Sequence, residues 1–142
     1  MSVHTSSSPV TVDRNQLARR GLTAAAVALA AVAVVRVVGV TLAPGLAALD
    51  PFGWGPIVVV TLFAAVAGTG VYGLVGRREN GDRLFVWLAV AVFLLSLLPV
   101  WFGAGTIPGI TDVGLVLLAV MHLVASVGIV VPLLGRARGL PA

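Results

Sequence analysis

Leu22 to Leu42 reads LTAAAVALAAVAVVRVVGVTL, a run of alanine and valine with one cation, Arg36, set inside it. About 21 residues of α-helix at ~1.5 Å each span ~31 Å, close to the ~30 Å hydrocarbon core of a bilayer. A guanidinium stays charged at any physiological pH, so inside such a segment it needs a partner or a route to water. The leucines and valines of the run favour insertion by roughly 3–6 kcal/mol, against a cost of about 2.5–3.5 kcal/mol for an arginine at mid-membrane and less off-centre. The balance favours a retained membrane span, marginal alone and supported by neighbours.

Those neighbours follow as three further apolar blocks, at about 57–75, 84–102 and 113–134. The chain of 142 residues is 59% hydrophobic and 10% charged, with mean hydropathy +1.11. A soluble domain of this size could not cover so much apolar surface. The first block is longer than the apolar region of a signal peptide, and no small-residue cleavage site precedes a soluble domain. The reading is all-α: a four-helix transmembrane bundle, up-down-up-down, covering residues 13–138. It follows a serine-rich, proline-broken tail, residues 1–12, which composition marks as disordered.

The connections carry the topology. Arg14, Arg19 and Arg20 precede the first span, Arg77, Arg78 and Arg83 surround the second loop, and Arg136 and Arg138 follow the last span. The other two loops hold no basic residue, only Asp50 and Asp112. The positive-inside rule then places both termini and the middle loop in the cytoplasm of a multi-pass plasma-membrane protein. Asp13, with Gln16 three residues on, fits a helix-starting capping box, Asp82 suits the start of the third span, and Thr111 or Asp112 suits the fourth. Phe52, Trp54 and Tyr72 read as aromatic anchors at the membrane interface. Ala65, Thr69 and Gly73 form a small-residue row on the second span, fit for tight packing or self-association. A weak echo between the halves, Val34–Val38 with Leu94–Leu98, suggests a duplicated hairpin.

Rise per residue gives depth. Arg36 and Ser96 lie about 9 Å from the outer ends of their spans, Thr61 about 6 Å and His122 about 14 Å. Two readings are open. Arg36, His122, Ser96 and Thr61 form a buried polar pocket that binds an anion or a polar headgroup, since arginine's fork suits carboxylate and phosphate. Alternatively Arg36 is a structural clasp with Asp50 or Asp112, while His122 and Ser96 bond to backbone or to each other.

Several chemistries are excluded. No cysteine is present, so disulfides, thiolate catalysis and cysteine metal sites do not arise. One membrane histidine and two loop aspartates do not form a metal set. Ser96 or Ser126 with His122 lacks an orienting acid, and haem on His122 would require a second axial ligand. No cofactor and no enzymatic activity are expected. The pI of about 11.5 would suggest nucleic acid in a soluble protein, but arginines at span ends indicate lipid contact instead.

Arg14-Asn15-Gln16-Leu17 before a small-residue span, Leu95-Ser96-Leu97-Leu98-Pro99 in the third span and Met121-His122-Leu123-Val124-Ala125 in the fourth resemble a family of small four-span prokaryotic membrane proteins classed only as a domain of unknown function. The resemblance covers most of the chain after the tail. It implies a four-helix integral membrane fold and supplies no activity, substrate or cofactor. In that family the first span favours an uncharged polar residue where this chain has Arg36, so no family-wide role passes to Arg36. The expected function is a structural or accessory membrane subunit, with the bilayer and a second copy or another membrane protein as partners. The alternative is a transporter or channel component, or a lipid- or anion-binding module using the polar pocket.

Overall fold

The computed structural model describes residues 13–103 and 106–135; the tail, residues 1–12, and Arg136 and Arg138 lie outside them. Four α-helices make the bundle: α1 (Arg14–Leu42), α2 (Trp54–Val75), α3 (Gly81–Phe102) and α4 (Asp112–Leu134). All four are long and apolar enough to cross a membrane. Two short 3-10 turns, Pro44–Ala48 and Asp50–Phe52, connect α1 to α2. One end of the bundle, the terminal end, holds the start of α1, the α2–α3 turn and the end of α4. The opposite, loop end holds the other two connections.

The helices stop where the four apolar blocks stop, but they start earlier. At α1 the Asp13 carboxylate accepts the Asn15 N–H at 3.1 Å, capping the helix well before the lipid-compatible run begins. With 29 residues, α1 is ~43 Å long, so its first two turns extend beyond a ~30 Å hydrocarbon slab. Thr111 caps α4, accepting from Gly114 N–H at 3.2 Å. Asp82 does not cap α3. The cap position is Asn80, without a side-chain bond, and Asp82 Oδ1 accepts from the Tyr72 hydroxyl at 2.9 Å. Gly135 closes α4 with φ 62°, a left-handed conformation that suits glycine.

Small residues set the packing. Ala24 and Ala28 of α1 are fully buried, whereas Phe63 of α2 is 75% exposed and Phe102 of α3 is 82% exposed. Small residues inside such a seam, with bulky ones left on the outer face, suit helices that face lipid, where close backbone approach rather than water exclusion drives association. The α1–α4 seam is the clearest case. A Cβ on Gly128 would lie 2.9 Å from Ala28 Cα, and one on Gly39 would overlap the Leu117 side chain. Eleven residues along α1, from 28 to 39, match eleven back along α4, from 128 to 117, so the antiparallel register holds without slip. On α2, Gly73 lies against Leu17 and Thr69 against Gly21, and the same register carried along α1 brings Arg36 to Trp54. The row Ala65–Thr69–Gly73 is thus an internal seam with α1.

Two apolar clusters fill the bundle. Ala24, Ala28, Ala65, Tyr72, Phe85, Ile129, Leu133 and Leu134 form the one at the terminal end. Val32, Leu46, Phe52, Ile57, Val100, Leu118 and Met121 form the one at the loop end. Phe52 corrects an expectation: it is no interfacial anchor but fully buried, and with Leu46 it roofs the second cluster. Tyr72 is corrected likewise. It is buried, packs edge-on against Phe85 with ring centroids 5.1 Å apart, and directs its hydroxyl to Asp82.

Candidate functional site

Arg36 sits on α1 one turn beyond buried Val32, half-buried and opposite the start of α2. Its Nε donates to the Phe52 carbonyl at 2.6 Å, and its guanidinium carbon lies 4.1 Å from the Trp54 ring centroid. Sequence chemistry explains that carbonyl. Phe52 lies just before Gly53, the N-cap of α2, so its carbonyl stands outside the helix ladder, and Pro56, four positions on, has no N–H with which to extend the helix back to it. Arg36 supplies the missing donor from a neighbouring helix. A hydrogen bond from a charged donor contributes about 1.5–3 kcal/mol, and a partly desolvated cation–π contact about 0.5–2 kcal/mol.

The other candidates are placed as follows. Asp50 is exposed and lines a cleft at the loop end, with Ala48, Leu49, Pro51, Thr106, Ile107 and Pro108, enclosing 360 Å³. Asp112 is exposed in the first turn of α4, where a carboxylate favours the helix dipole. Arg36 engages a carbonyl and an indole, not these two acids. His122 Nδ1 lies 2.7 Å from the Leu118 carbonyl. A carbonyl carries no proton, so Nδ1 is the donor, and in the neutral ring Nε2 keeps the lone pair. Ser96 Oγ donates to the Phe93 carbonyl at 2.7 Å. Thr61 is buried on α2, one turn from Ile57 and one from Ala65, between the two clusters.

Ser96 and His122 each bond to a carbonyl of their own helix, not to each other. None of Arg36, Thr61, Ser96 and His122 lines the 360 Å³ cleft. Among the described residues, no buried side-chain nitrogen or oxygen lacks a hydrogen-bond partner, and no three histidines or acids gather at metal-binding spacing.

Reading the sequence missed Arg20. Its Nη1 donates to the Leu133 carbonyl at 3.2 Å, and its guanidinium lies beside Gly135. The final carbonyls of a helix have no partner within the helix, and a cation there also favours the negative end of the dipole. The signal was available: α4 ends in Pro-Leu-Leu-Gly, with no side chain of its own to close its last turn. Tyr72 with Asp82 was likewise legible only as two separate residues.

Residues 11–139 match the model described as a family of unknown function, DUF6069, and the chain belongs to that family. No curated protein and no solved structure matches the chain. The resemblance carried by the short motifs of α1, α3 and α4 is borne out at the level of the family.

Proposed function

We propose that this member of the DUF6069 family is a structural or accessory subunit of the plasma membrane without catalysis of its own, its terminal end facing the cytoplasm. The arginines of that end support the orientation through the positive-inside rule. The single observation that carries the structural role is the engagement of Arg36 by Phe52 O and Trp54. Arg36, the cation inside the apolar run of α1, holds the connection between α1 and α2 onto the bundle. An anion- or headgroup-binding pocket around Arg36 and His122 is the competing reading. Against it stand the occupied guanidinium, the histidine bonded within its own helix and a cleft whose charged residue is acidic Asp50.

The partner on this reading is the bilayer. A second copy or another membrane protein would meet the outer face of α2, where Ala67 and Gly70 leave the surface low. The test is complementation of a deletion strain, with the abundance of each variant measured beside it. His122→Leu and Ser96→Ala are expected to complement fully. Arg36→Leu is expected to fail only in proportion to its loss of folded protein. A His122→Leu chain that is present at normal level and yet inactive would overturn the proposal.

A further inference from the structure

We propose that the start of α3, with the turn before it, binds one anionic phospholipid. Its phosphodiester is held by Arg77, Arg78 and Arg83, and its ester carbonyl takes the indole N–H of Trp87. An acyl chain lies along Val90 and Leu94. The inference rests on the membrane-embedded fold alone and is independent of any accessory role.

Geometry makes the case. Arg77 and Arg78 are exposed in the α2–α3 turn, and Arg83 is exposed in the first turn of α3. Trp87 is 64% exposed one turn deeper, and positions four apart share a helix face. Val90 and Leu94 continue that face, both exposed. The stripe therefore runs from cations through an indole donor to aliphatic side chains, along the axis a lipid lies on. Arg83 and Trp87 differ in height by ~6 Å, an offset of the order that separates a phosphodiester from an acyl ester. Trp and Arg at this depth suit the boundary between headgroup and hydrocarbon.

Charge complementarity selects an anionic headgroup. Arg77, Arg78 and Arg83 outnumber the two acids among residues 77–83, Glu79 and Asp82, and the Asp82 carboxylate is also engaged by the Tyr72 hydroxyl. A zwitterionic lipid would bring an ammonium group against the surplus positive charge. An anionic lipid brings none, and basic residues between spans bind such headgroups.

The experiment uses the purified full chain in an uncharged detergent and follows thermal unfolding. Phosphatidylglycerol, phosphatidylcholine with the same acyl chains, and inorganic phosphate are added in separate arms. The unfolding midpoint is expected to rise with phosphatidylglycerol alone, and the rise is expected to shrink as salt is added. Each arginine at an anionic surface contributes about fivefold in affinity, so Arg77→Gln/Arg78→Gln/Arg83→Gln should bind phosphatidylglycerol roughly a hundredfold more weakly. All three side chains are exposed, so the lipid-free midpoint of that variant should match the native one. Equal stabilisation by phosphatidylcholine would overturn the proposal, as would a phosphatidylglycerol effect that ignores salt or survives in the triple variant. An equal rise with inorganic phosphate would replace the lipid by a soluble anion.

Discussion

Arg36 shows how one residue can be conspicuous in sequence while its partner stays hidden. Its charge inside an apolar run was plain, and an acid was the obvious counterpart. The partner is a main-chain carbonyl just outside the α2 ladder, with an indole beside it. That pairing needs the fold of the connection, which hydropathy does not encode. The two contacts should be energetically coupled. A double-mutant cycle of Arg36→Leu and Trp54→Leu, read by unfolding in detergent, is expected to give about 0.5–2 kcal/mol of coupling. Zero coupling would mean the stacking is incidental. Single Arg36→Leu should cost about 1–3 kcal/mol, because Phe52 C=O is left unsatisfied and the relief from removing an off-centre charge only partly offsets it. His122→Leu should cost about 1 kcal/mol or less, since it removes one half-buried bond to its own helix.

Among the elements, all four helix ends were legible, and so were the caps that start α1 and α4, Asp13 and Thr111; the start of α3 was not. Ala43-Pro44, Gly76, Gly103 and Gly135 punctuate the ends of α1, α2, α3 and α4 with the chemistry that stops a helix. Hydropathy marks where lipid begins, whereas capping marks where the helix begins, which is why Asp13 was needed to place the start of α1. At α3 the same reasoning failed because Asp82 is taken by the Tyr72 hydroxyl of the neighbouring helix. Seams were legible in kind but not in pairing. The small-residue row of α2 was visible, while the α1–α4 contact required knowing that Ala28 and Gly128 face each other. Two glycine-to-alanine changes separate a seam from a surface. Gly128→Ala sets a methyl 2.9 Å from Ala28 Cα and should destabilise by about 1–3 kcal/mol, since backbone must move. Gly70 has nothing within 4 Å of an added Cβ, so Gly70→Ala should be neutral or gain up to about 1 kcal/mol from helix propensity. Unfolding midpoints of the two variants, measured side by side, check both.

For the whole molecule, the number of spans followed from composition, while the proposed orientation rests on arginine placement. The native chain has no cysteine, so single-cysteine variants report orientation directly. Glu79→Cys should be shielded from an impermeant maleimide in intact cells, and Ala48→Cys should be labelled; the reverse pattern would invert the proposed topology. What stayed hidden at this scale was the roof of Leu46 and Phe52, because an apolar loop residue reads equally well as an anchor or a plug. The seam between Ala28 and Gly128 has a further consequence, for manufacture. It joins the first helix to the last, and a ribosome delivers them in that order. Arg36 can find Phe52 and Trp54 as soon as the first hairpin is made, but Ala24 and Ala28 must wait for the end of the message. A nascent chain cut off after residue 110 would sit correctly threaded and open along one flank. Such a fragment should be cleared by membrane proteases several times faster than the finished protein in a pulse-chase, so quality control has a built-in sign of completion to read.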